Sequence, residues 1–207
     1  MANRQTAGFG LVPVGTVGST PSTQGQGKYF IDAAYDKNLY QNSAVQSKVG
    51  YIKTGQAAIT NATIGVLNGI FYNAATTLKP TFANFYKATI TPANSEDITA
   101  FVFDNPQQQY VCATDAAVAQ AGFLETYDMN SSAGDDINGR SRGTLDIGTT
   151  GNDDKSLRLL RVAEDPENED LITTPQTDPA LANFSGYATV VVVVNKSQWF
   201  GTGTVGA

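Results

Sequence analysis

The chain contains no histidine and one cysteine, Cys112. Without imidazole there is no side chain whose ordinary titration falls near neutral pH, no Ser-His-Asp or Cys-His nucleophile and no His-bound zinc. A lone thiol cannot close an internal disulfide or build a thiolate metal cluster, so the fold has to be held by packing. Charge is scarce as well, at 15% of 207 residues, while 41% are apolar and 20 are glycine. That composition supplies a real hydrophobic core for one large or two small domains, and suits a turn-rich β protein better than a helical one. It points away from an enzyme, and no catalytic residue, metal ligand or cofactor is assigned.

Charge is also unevenly spread. Residues 1–103 hold seven basic side chains against four acids, whereas from 104 onward six basic residues face fifteen acids, for a net charge of -6. The acidic second half repels nucleic acid and anionic lipid, and the excess of the first half is too dilute for a phosphate-binding stripe. Neither nucleic acid nor membrane is therefore expected as a partner. Glycines with Pro13 and Pro21 break the first 27 residues, which leaves no apolar signal core, and no run approaches membrane-spanning length. A reducing aqueous compartment is expected, where the sequon Asn61-Ala62-Thr63 is a coincidence of Asn and Thr richness.

Two segments follow from these patterns: an extended Gly-rich N-terminal arm over 1–27 and a single β-rich domain over 28–207. The arm carries six glycines among Ser, Thr and Gln, with Phe9, Leu11, Val12, Val14 and Val17 as apolar anchor points. It reads either as a tether lying across another subunit or as a frayed terminus. Residues 28–49 fit a helical stripe loosely and an alternation at Tyr29, Ile31 and Ala33, and read as a strand, a loop and a second short strand at 44–49; further strands are expected at Thr63–Leu67, Gly69–Tyr72, Phe85–Ile90, Thr99–Phe103, Gln109–Ala113, Thr144–Ile147, Leu157–Val162 and Ala188–Asn195. Turn clusters at Asn73-Ala74-Ala75, Lys79-Pro80, 91–94, Asp104-Asn105-Pro106 and 148–154 separate them, spacing that predicts an all-β, jelly-roll-like sandwich or barrel. Val190 to Val194 predict a central strand buried on both faces or covered by a partner. The one helix expected is short, from Asp115 as N-cap through Ala121 to Gly122. Trp199 and Phe200, set among Gly and Thr near the end, suggest contact with another chain.

Gly8-Phe9-Gly10 lacks the preceding strand and following helix of a dinucleotide fingerprint, and Gly27-Lys28 is followed by Tyr29, not by the Ser or Thr of a phosphate loop. The acidic runs Asp135-Asp136, Asp153-Asp154 and 164–170 offer oxygens for Ca²⁺ without EF-hand spacing, and solvated loops are the ordinary outcome of such runs. Cys112, between Val111 and Ala113, reads as a small buried hydrophobe.

Several segments together resemble a family of small virion proteins of tailed, marine podovirus-like bacteriophages, the capsid cement or decoration proteins. The segments are 1–11, 64–72, the central block 93–106 (Ala-Asn-Ser-Glu-Asp-Ile-Thr-Ala-Phe-Val-Phe-Asp-Asn-Pro), and Arg158-Leu159-Leu160-Arg161 with Glu164-Asp165-Pro166-Glu167-Asn168. Asn42-Ser43-Ala44-Val45 stands where relatives often place Gly-Asp-Pro-Val. The resemblance implies a β-rich structural protein that lies outside an icosahedral shell, forms dimers or trimers and bridges neighbouring copies of the major capsid protein. It also implies assembly in the bacterial cytoplasm and residence on the virion surface. Arg4, Phe9, Leu11, Val12, Trp199 and Phe200 are the expected contact residues, and deletion of residues 1–20 is expected to abolish shell binding without unfolding the β domain. Two other readings stand beside this one. A major capsid protein would need a long amphipathic spine helix. A receptor- or glycan-binding module would use exposed aromatics such as Tyr127, Tyr187 or Trp199.

Overall fold

The computed structural model describes residues 8–18, 25–54, 58–59, 62–130, 134–151, 155–164 and 188–199. In chain order the strands are β1 (Val12–Thr16), β2 (Gly27–Ile31), β3 (Ala44–Lys48), β4 (Tyr51–Thr54), β5 (Ala58–Ile59), β6 (Gly65–Asn73) and β7 (Pro80–Ala83). After them come β8 (Ile98–Phe103), β9 (Gln108–Ala113), β10 (Thr126–Asn130), β11 (Thr144–Gly151), β12 (Leu157–Val162) and β13 (Thr189–Val194). Among the described residues the strands all pair antiparallel and fall into two sheets. The first, here sheet A, runs β1-β9-β13-β12-β10-β11, with β5 also on β10; the second, sheet B, runs β2-β8-β6-β3-β4, with β7 beside the C-terminal half of β6. The expected all-β sandwich is what forms.

Local sequence explains much of this. In β8, Ile98, Ala100 and Val102 are buried and alternate with half-buried Thr99, Phe101 and Phe103, the period of a strand with two different faces. The valine run lies between β9 and β12, with Val190 and Val192 in the core and Val191 on the opposite face only 2% exposed. A central strand buried on both faces favours an unbroken β-branched run over alternation.

Two cores result. One lines the inner face of sheet A with Leu11, Tyr110, Cys112, Tyr127, Met129, Leu145, Leu157, Leu159, Val190 and Val192, and takes in Ala44, Val66 and Phe103 from sheet B. The other lies on the reverse face of sheet B, where Ile31, Val45, Ile52, Leu67, Ile70, Ile98, Ala100 and Val102 are covered by Leu39 and Tyr86 from the intervening loops. Val66 is opposite Phe103 and Leu67 opposite Val102, so successive residues of one ladder feed different cores.

Several expectations need correction. Over residues 8–17 the arm is part of the chain's own fold: β1 pairs with β9, the Gly10 amide bonds to the Gly143 carbonyl at 3.1 Å, and Leu11 N–H to the Asn42 carbonyl at 2.8 Å. The helix at 115–121 is absent, leaving only a 3-10 turn at Gln120–Gly122. Its intended cap is engaged elsewhere, since the Asp115 carboxylate accepts from Ile147 N–H at 3.0 Å and its own amide donates to the Leu145 carbonyl. Phe85–Ile90 is not a strand: Tyr86 exchanges backbone bonds with Leu39 alone, and its hydroxyl donates to the Tyr35 carbonyl at 2.7 Å. A strand instead begins at Pro80, where a turn was expected, because the missing N–H is harmless on the outer side of β7. Thr63–Leu67 and Gly69–Tyr72 merge into β6, with a bulge between Leu67 and Gly69. β11 continues to Gly151 through the start of the turn expected at 148–154, of which 152–154 lie outside the described residues.

Candidate interaction surface

Register brings four phenylalanines onto one face of sheet B. Thr99 of β8 stands opposite Phe30 of β2 on one side and Phe71 of β6 on the other, and Phe71 is opposite Phe82 of β7. The adjacent row is Lys28, Phe101 and Gly69. The rings of Phe71 and Phe82 are 4.7 Å apart between centroids, and Phe82 lies 6.4 Å from Phe101, distances at which aromatic pairs attract. Phe82 reaches across β6 to Phe101 because Gly69 of β6 puts no side chain between them. A Cβ at Gly69 would in addition stand 2.9 Å from the Ala83 carbonyl oxygen. This is the same face that sends Val66 and Phe103 into the sheet A core, but past those residues it opens to solvent: Phe30 is 52% and Phe82 74% exposed. Leu78, in the turn before β7, is exposed beside it in sequence.

The residues expected to make contacts are not gathered there. Phe9 is half-buried on the segment tied to residues 142–144, while Val12 is half-buried on the outer face of sheet A, opposite Val111. Leu11 is fully buried in the core, which corrects its assignment as a docking point. Trp199 is 51% exposed and follows a latch in which the Gln198 side-chain amide both accepts from Ser47 N–H (2.7 Å) and donates to Ser47 C=O (3.1 Å), as a neighbouring strand would. Leu11 is thus fastened before β3 and Trp199 near its end. Arg4 and Phe200 lie outside the described residues. So does Tyr187, and Tyr127 is a core residue whose hydroxyl donates to the Gly122 carbonyl at 2.9 Å. Sequence reasoning missed the phenylalanine face because its members come from four separate strands. Their common parity with Val66 and Phe103 was the only available signal, and it requires the register.

The acidic side chains Asp135 and Asp136 are engaged structurally. The Asp135 carboxylate accepts from the amides of Ile137 (2.8 Å) and Asn138 (3.4 Å) and faces Arg142 at 3.4 Å; these bonds, the Ile137 amide foremost, hold its pKa below the ordinary aspartate value. Asp136 accepts from the Tyr40 hydroxyl at 2.6 Å. Among the described residues no group of three His, Cys, Asp or Glu side chains is placed to hold a metal ion, and Asp153, Asp154 and 165–170 lie outside them. Cys112 is fully buried, as expected, and burial pushes its thiol up to about 12.

These features define an all-β protein of two antiparallel sheets with one partly uncovered aromatic face. No protein-family model matches the chain, and neither the search of curated proteins nor that of solved structures found a match.

Proposed function

We propose that the protein is a structural component of a bacteriophage virion, a cement or decoration protein that binds the outside of the icosahedral shell and bridges neighbouring major capsid subunits. The observation that carries this reading is the phenylalanine face: an apolar surface spread over β2, β8, β6 and β7 that the chain's own second sheet leaves uncovered. The two-sheet β scaffold and the similarity of segments 1–11, 64–72, 93–106 and 158–168 to cement proteins support the same reading. The only helical elements among the described residues are two 3-10 turns, which favours cement over a shell protein built on a spine helix. The exposed rings keep a receptor- or glycan-binding role on the virion as the second reading.

Quantifying the chain in purified particles tests both. A copy number near that of the shell subunits is the expected result. A few copies per particle would move the assignment to a receptor-binding role, and absence from particles would overturn both.

A further inference from the structure

Resting on the cement reading above, we propose that the phenylalanine face of sheet B is the side that meets the shell, and that an apolar patch rimmed by acidic side chains on the major capsid protein receives it. The strands of sheet B carry Lys28, Lys48 and Lys53 and no acidic residue. Lys28 lies within the aromatic face itself, cross-strand from Phe101. A lysine on the same face as the rings complements a surface that is apolar at its centre and acidic at its edge. The reverse face of sheet B is closed by Leu39 and Tyr86, so the sheet has one open side. Strand addition along β7 is disfavoured, because Pro80 removes a donor from that edge.

The test titrates three forms of the full chain onto shells of the same virus stripped of it: wild type, Phe30→Ser/Phe82→Ser, and Lys28→Glu. Both phenylalanines are at least half exposed, so an unchanged thermal melt is expected and shows that the variant folds. The double variant should bind at least about tenfold more weakly, the scale of an aromatic hot spot. Lys28→Glu should also bind more weakly, and that loss should shrink as salt rises. Ile137→Ser, which removes an exposed apolar side chain in the 134–143 loop, should bind like wild type. Wild-type affinity in the double variant overturns the proposal while leaving the cement reading intact. So does a change from oligomer to monomer with shell binding unchanged, because a second copy would then be the occupant. Failure of the wild-type chain to bind stripped shells would remove the cement reading and this proposal together.

Discussion

Lys155 Nζ stands 3.2 Å from a carboxylate oxygen of Asp128, whose side chain is almost wholly withdrawn from water while the lysine keeps about a quarter of its surface exposed. The same aspartate accepts from the amide (3.3 Å) and hydroxyl (3.1 Å) of Ser156, so the turn before β12 is fastened to the outer face of β10. Removing one side of such a pair costs more than the pair contributes, because a buried charge loses its compensation. Lys155→Met, which leaves the buried Asp128 carboxylate without its counter-charge, is expected to lower stability by about 3 kcal/mol, and the charge left by Asp128→Ala to cost less, since the ammonium is already partly hydrated. Urea midpoints of the two variants measure this; wild-type midpoints in both would show the pair to be energetically silent.

The N-terminal segment is a structural element as well as any tether it forms. Gly10 has φ of +75°, and a Cβ there would run into the Asn42 carbonyl oxygen, so Gly10→Ala should destabilise by more than about 1 kcal/mol. Leu11→Ala should cost about 2–5 kcal/mol as a cavity in the sheet A core. Deletion of residues 1–20 removes both along with β1, and therefore should lower the unfolding midpoint, contrary to the expectation of an intact β domain. Loss of shell binding by that truncation would then report unfolding, whereas the phenylalanine variants report docking.

Alkaline pH should weaken the fold through buried acids held neutral. Burial raises the Cys112 thiol from an ordinary value near 9 to about 12, and raises the Tyr110 hydroxyl too, which donates to the Phe103 carbonyl at 3.1 Å. In the unfolded chain both ionise at their ordinary values, so their contribution is complete below pH 9 and is lost as pH climbs toward 12. The thiol alone gives a slope of about 1.4 kcal/mol per pH unit in that window. Urea midpoints at pH 8 and 10.5 should differ, by less in Cys112→Ala, and a thiol reagent at pH 8 should label Cys112 only after denaturant is added.

The strands with clean alternation, β8 above all, and the valine strand were legible because each face of their ladder declares its environment residue by residue. β10 was not, since Asp128 at its centre reads as a loop residue until Lys155 and Ser156 are seen to neutralise and bind it. The helix expected from Asp115 failed for a related reason: a good cap, followed by a run of alanines, was captured by the backbone of β11 at a distance no local rule weighs. The interaction surface was least legible of all. Phe30, Phe71, Phe82 and Phe101 acquire a common face only through three strand registers and one bulge, and the strand that carries Phe82 opens on the Lys79-Pro80 pair that signals a turn.

The pairing of Val12 with Val111 bears on the order of events during synthesis. Every strand of sheet B has been made once residue 103 leaves the ribosome, so that sheet can close around its own core while β1 still lacks its partner strand β9. At about 5–20 residues per second, Val12 waits roughly 5–20 s for Val111. During that interval β1 lacks the ladder that Val111 and its neighbours will supply, and among the backbone bonds of the described residues only that of Leu11 to Asn42 holds the segment to residues already made.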